Sequence, residues 1–94
     1  MLSDIPKKLE NISKENIDKE ILRAGMIAEF DAVSLYEQMA AMTNDSKIKI
    51  ILLDIAKEEK THIAEFETLL LQRDKQQAEE NKAGRKEVEE KIGK

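Results

Sequence analysis

The chain has 94 residues, 38% of them charged and only 3% aromatic, with one proline, three glycines, no cysteine and a net charge of −4. That length bounds one small domain, which buries a modest fraction of its surface and is often marginal alone. The missing cysteine excludes disulfides, iron–sulfur centres and zinc fingers and suits a reducing cytoplasm, while interspersed Lys and Glu leave no basic stripe for nucleic acid.

Residues 1–15 read as a polar leader, with Pro6 barring early helix and no apolar run of the kind a signal peptide needs. The first strong helix is expected from Asn16 or Ile17 to about Met42, by its apolar periodicity. The stretch "TNDS" at 43–46 is a turn in which Asp45 or Asn44 can cap the next helix. A second helix should run from about Ser46 to Arg73, bounded by that cap. Its apolar run "IILL" at 50–53 is far too short to span a membrane. Residues 75–94 read as a shorter third helix, weakened at Gly84. Its few apolar residues (Ala78, Val88, Ile92) suit a peripheral or partner-contacting role. No internal repeat is present. The division is therefore a leader at 1–15, a helical hairpin at 16–74 and a peripheral tail at 75–94.

Periodicity says more than helix. In the second helix Ile48, Leu52, Ile55, Glu59, His62, Phe66 and Leu69 are spaced 4, 3, 4, 3, 4, 3, an unbroken heptad seam. In the first helix Leu22, Met26, Glu29, Val33, Tyr36 and Ala40 repeat the alternation. Both seams carry polar interruptions: Glu59 and His62 in one, Glu29 and Tyr36 in the other. A tight antiparallel hairpin turning at residue 44 or 45 pairs positions whose numbers add to about 88–90. Glu29 with Glu59 adds to 88 and with His62 to 91, so all three should lie at one level. Tyr36 falls opposite Leu52 or Asp54, nearer the loop.

Burying one unpaired carboxylate costs several kcal/mol, so three ionisable groups at one level need compensation. A metal supplies it. Di-iron and di-manganese bundle sites take a Glu from each of two helices and a Glu-x-x-His from each of the other two. This chain holds one of each, half the ligands and half the bundle, so two copies are needed to complete both. Taken alone, Glu-x-x-His in a Glu-rich helix reads as a solvated face, and a lone histidine as a satisfied polar residue. The matched depth and the halved inventory favour the metal. Tyr36 reads either as an ordinary amphipathic core residue or as a hydroxyl donor to a ligand carboxylate or metal-bound oxygen. Met26, Met39 and Met42 are expected as core fillers, Asp31 and Glu65 as exposed or interfacial, and Glu58 as solvated.

The stretch "IAEFDAVSLYEQMA" at 27–40, followed by "LLDIAKEEKTHIAEFETLL" at 52–70, closely resembles the encapsulated ferritins, half-length relatives of ferritin packaged inside encapsulin shells. The resemblance covers residues 17–74, with a weaker echo in the tail. It implies an all-α subunit: an antiparallel two-helix hairpin plus a short C-terminal helix, dimerising into a ferritin-like four-helix bundle. It implies a ferroxidase centre between two subunits, holding two irons per dimer, and dimers assembled into a ring, typically a decamer. By the same resemblance Glu29, Glu59 and His62 are iron ligands, with Glu59 the better candidate to bridge the metals, and Tyr36 is the neighbouring tyrosine. Fe(II) would be oxidised by O₂ or peroxide, and the mineral would collect in a cytoplasmic encapsulin nanocompartment. Some members flank the first-helix Glu with acids that admit metal from outside. Here those positions are Ala28 and Asp31, so only Asp31 could serve. Leu35 stands where many members have Trp, and no small apolar cargo-loading peptide is expected in the closing "EEKIGK". The rival readings are a rubrerythrin-like di-iron peroxidase, which usually employs a cysteine-ligated electron donor, and a non-catalytic oligomerisation module whose polar seam fixes register.

Overall fold

The computed structural model describes residues 13, 14 and 16–94, and the leader expected at 1–15 lies almost wholly outside them. Among the described residues there are three helices and no strand: α1 (Ile17–Met42), α2 (Ser46–Arg73) and α3 (Lys75–Ile92). No helix among them is long and apolar enough to cross a membrane.

Local chemistry sets the boundaries. The last turn of α1 closes with the Thr43 N–H donating to the Met39 carbonyl at 3.2 Å. Asp45 caps α2, its carboxylate accepting from the Lys47 and Ile48 amides at 2.9 and 3.1 Å. Its own N–H is held by the Thr43 hydroxyl. A helix start leaves amide donors unsatisfied, and this carboxylate satisfies two of them. At the other end Asp74 alone separates α2 from α3: its N–H donates to the Leu70 carbonyl, and its carboxylate accepts from the Gln77 amide. The third helix runs unbroken through Gly84 and stops at Gly93, whose φ of 87° is the left-handed conformation a helix C-terminus favours. Gly84 therefore does not interrupt it.

The first two helices pack antiparallel. Leu22, Val33 and Ala40 of α1 bury against Ala56, Ile63 and Leu70 of α2. Three of the α2 seam residues foretold by the heptad were Ile55, His62 and Leu69, and the structure buries the next residue each time. The reason is geometric. A seam row faces the middle of a bundle, whereas the row beside it faces the adjacent helix, and a lone hairpin supplies only the adjacent helix. Ile48 and Leu69, at the two ends of the foretold row, are exposed.

Several consequences follow for the chain alone. Among the described residues no large side chain is fully buried. Exposed Ile48, Ile50, Ile51 and Leu53 run along the start of α2, with Met42 beside them and 79% accessible rather than a core filler. Met42 lies at the last position of α1, beyond the reach of the packed interface, whereas Met26 and Met39 are half-buried. No α3 residue is buried. The radius of gyration is 16.5 Å, against about 12 Å for a compact domain of this length. The hairpin leaves an apolar face at the start of α2 open.

Candidate metal centre

Glu29 sits mid-way along α1, and Glu59 and His62 lie one turn apart on α2. The antiparallel packing brings the three to one level, where one ligand atom from each lies within 4.8 Å of the others. His62 Nδ1 is 3.5 Å from Glu29 Oε2 and 3.5 Å from Glu59 Oε2. Those separations are long for hydrogen bonds, whose N···O distances run about 2.7–3.2 Å. They approach the spacing of donors around a shared ion, because bonds of about 2.1 Å put neighbouring ligand atoms roughly 3.0–3.4 Å apart.

Burial sharpens the case. The Glu29 side chain is 20% accessible, Glu59 19% and His62 44%, so the cluster is enclosed from one side and open on the other. Glu29 Oε2 is shut away from solvent without a hydrogen-bond partner. A buried carboxylate oxygen left so is costly, and a cation is the compensation that fits its chemistry. Two carboxylates and an imidazole form a mixed donor set that suits iron, among other first-row metals. The residues present therefore fit a metal ion, but as three ligands from one chain, with the open side unfilled by protein.

The remaining expected residues fall as follows. Tyr36 is half-buried seven residues along the same row of α1. Asp31, expected to be exposed or interfacial, is only 7% accessible. It lies two residues from Glu29, about 200° around the helix. Glu58 and Glu65 are exposed as expected.

Periodicity did not single out a polar network that fixes the end of the hairpin away from the loop. The Arg23 guanidinium spans Glu20 on its own helix and Asp74 at the α2–α3 joint, the latter at 2.9 Å. The Asp74 carboxyl is held below its ordinary 3.8 by the Gln77 amide first and by Lys19 and Arg23 beside it, against the opposing effect of burial. Nearer the loop Lys60 reaches Glu37 at 3.0 Å, but both are well exposed and the pair contributes little. Periodicity also passed over Gly25. Its Cα faces the Phe66 ring so closely that an added Cβ would stand 3.1–3.3 Å from three ring carbons. The signal was a lone glycine inside a helical pattern.

The helices and the carboxylate–imidazole cluster together define an all-α protein of the ferritin-like type. The family model described as EncFtn-like matches residues 4–83, and the chain belongs to that family, the encapsulated ferritins. A relative named ferritin-like–encapsulin shell fusion protein, from Pyrococcus furiosus, is 53% identical over 74 residues, covering 79% of this chain. The match spans 21% of that relative, so the chain corresponds to about a fifth of its length. The crystal structure of the encapsulated ferritin domain from Pyrococcus furiosus is similar over 100% of this chain and 90% of that one, with a TM-score of 0.80 and 45% identity.

Proposed function

We propose that two copies of this chain close a four-helix bundle around a di-iron centre and oxidise Fe(II) there, a ferroxidase working with an encapsulin shell. The observation that carries the reading is the half-open triad: Glu29, Glu59 and His62 converge, yet one side of the cluster has no protein. A second copy related by a two-fold axis would bring its own triad to that side. It would supply the other Glu and the other Glu-x-x-His that such sites use. The same contact would cover Ile48 and Leu69, left exposed on the row facing the missing half.

Within that assembly each residue has a task. Glu59, one turn from His62, would be the better candidate to hold both ions, with Glu29 and His62 each holding one from opposite helices. Iron held there would supply the Fe(II)/Fe(III) couple, with O₂ or peroxide as the oxidant. The surrounding seam residues keep the ligands fixed and limit water to the open positions. Tyr36, two turns along the same row as Glu29, would serve as the neighbouring hydroxyl that the resemblance implies. Asp31 would guide cations only through the assembly, since in the single chain it is enclosed.

The shell follows from kinship. The Pyrococcus furiosus relative carries ferritin-like and encapsulin parts in one chain, by its name. We place this domain likewise in a cytoplasmic encapsulin compartment, where ferric product leaving a bundle too small to store it would mineralise. A ring of dimers, a decamer by resemblance, is the expected assembly. The test is Fe(II) oxidation by the purified chain, followed by absorbance, beside a His62→Ala variant. Oxidation by the parent that vanishes in the variant supports the reading. Equal rates, or none in either, reject it.

A further inference from the structure

The triad spans two helices, so its shape depends on how far apart α1 and α2 stand at that level. Gly25 lies one turn from Glu29 on α1, and Phe66 one turn from His62 on α2, both on the side away from the loop. The two therefore meet directly beneath the triad. They meet tightly: a Cβ on Gly25 would stand 3.1 Å from Phe66 Cζ, 3.2 Å from Cε2 and 3.3 Å from Cε1. The edge of the ring thus occupies the space a side chain at position 25 would need. Glycine inside a helix weakens it relative to alanine, so its use here calls for a packing reason, and the ring is one.

We infer that the Gly25–Phe66 contact is a positioning element of the metal centre: the ring seated against bare backbone sets the helix separation that fixes the bite between Glu29 and the Glu59–His62 pair. The inference rests on the metal-centre reading. Neither residue offers a ligand atom to the ion. Phe66 is half-buried and apolar, one turn from His62 on the same helix. A methyl group at position 25 forces the ring to move or the helices to part by a few tenths of an ångström. Parting the helices changes the separation that spans them, now 3.5 Å from His62 Nδ1 to Glu29 Oε2. Outer-shell groups that hydrogen-bond metal ligands change affinity by about 10–100-fold when lost, and an apolar contact that acts only through helix separation belongs at the low end of that range.

Co(II) is the probe, since its visible absorption reports coordination number and geometry. Four full-length proteins are titrated: the parent, His62→Ala, Gly25→Ala and the double variant Gly25→Ala/Phe66→Leu. Each is also melted without metal. The expected result is Co(II) binding by the parent, its loss in His62→Ala, and roughly tenfold weaker binding with an altered spectrum in Gly25→Ala. The metal-free melting temperature of Gly25→Ala should hold, because alanine favours the helix. In the double variant the smaller, more adaptable leucine makes room for the new methyl group, and binding and spectrum return toward those of the parent. A Gly25→Ala protein with parental affinity and spectrum overturns the inference. So does a fall in metal-free melting temperature that tracks the loss of affinity and persists in the double variant, since that marks a packing residue only. A parent that takes up no Co(II), or a His62→Ala protein that binds as the parent does, overturns the metal-centre reading and this inference with it.

Discussion

Three side chains account for the chemistry assigned to this domain, and their placement was readable before any coordinates. Glu29, Glu59 and His62 interrupt apolar seams at positions that an antiparallel hairpin brings level, and the structure gathers them within 4.8 Å. Replacing any one with Ala should slow Fe(II) oxidation by more than the roughly 10–100-fold that losing a supporting residue costs. Tyr36→Phe, which removes only a hydroxyl, should stay within about tenfold. Stopped-flow oxidation traces at matched protein concentration measure both, and a parental rate for Glu59→Ala would refute the ligand assignment. Stability offers a second check. Glu29 Oε2 lacks a hydrogen-bond partner, so the metal-free cluster is a liability. Replacing the whole cluster, Glu29→Met and Glu59→Met with His62→Leu, should therefore leave the chelator-treated protein at least as stable. Gains of about 1–4 kcal/mol are known for such swaps, with the lower end expected because His62 remains 44% accessible. A clearly lower melting temperature would mean that the three make structural hydrogen bonds instead. Asp31 was harder to read. Its position opposite the seam reads as exposed or interfacial, yet it is enclosed within the single chain, because periodicity describes only the helix itself.

At the scale of elements, caps and turns carried most of the boundary information. Asp45 has the chemistry of an N-cap, and it accepts from two amides of α2. Asp45→Ala should cost about 1 kcal/mol, with a range of roughly 0.5–2, and thermal or urea melts would show it. The register of burial on α2 was less legible. Ala56, Ile63 and Leu70 each follow a residue of the foretold row, and a heptad with apolar residues on both rows does not say which one meets the first neighbour. The third helix hangs on one joint. Asp74 accepts from Gln77 and Arg23, and its folded carboxyl is depressed below 3.8. A depressed carboxyl adds stability that is fully present above the unfolded value and is lost as pH falls through the folded one. The tie between α3 and the hairpin should therefore weaken below pH 3.8 and hold above it. Hydrogen exchange of α3 amides, compared between parent and Asp74→Asn, tests this. Protection in the parent that is the same on both sides of that pH would contradict it.

At the scale of the whole molecule, the radius of gyration is 16.5 Å, no large side chain among the described residues is fully buried, and the start of α2 exposes an apolar run that the proposed dimer would cover. The halved ligand inventory was legible in the sequence. From that halving a second copy was the partner expected, although a heptad seam by itself faces the middle of a bundle whichever chain supplies the other helices. If the second copy supplies the missing ligands, metal and assembly are linked by mass action: an ion that binds only the dimer must favour the dimer. Native mass spectrometry of the metal-free protein, with and without Fe(II) under anaerobic conditions, measures that linkage most directly. The account predicts that Fe(II) shifts the population from monomer to dimer, or to rings of dimers, with two irons per dimer, and that His62→Ala abolishes the shift. A monomer that binds iron one-to-one, with assembly unchanged by the metal, would contradict it.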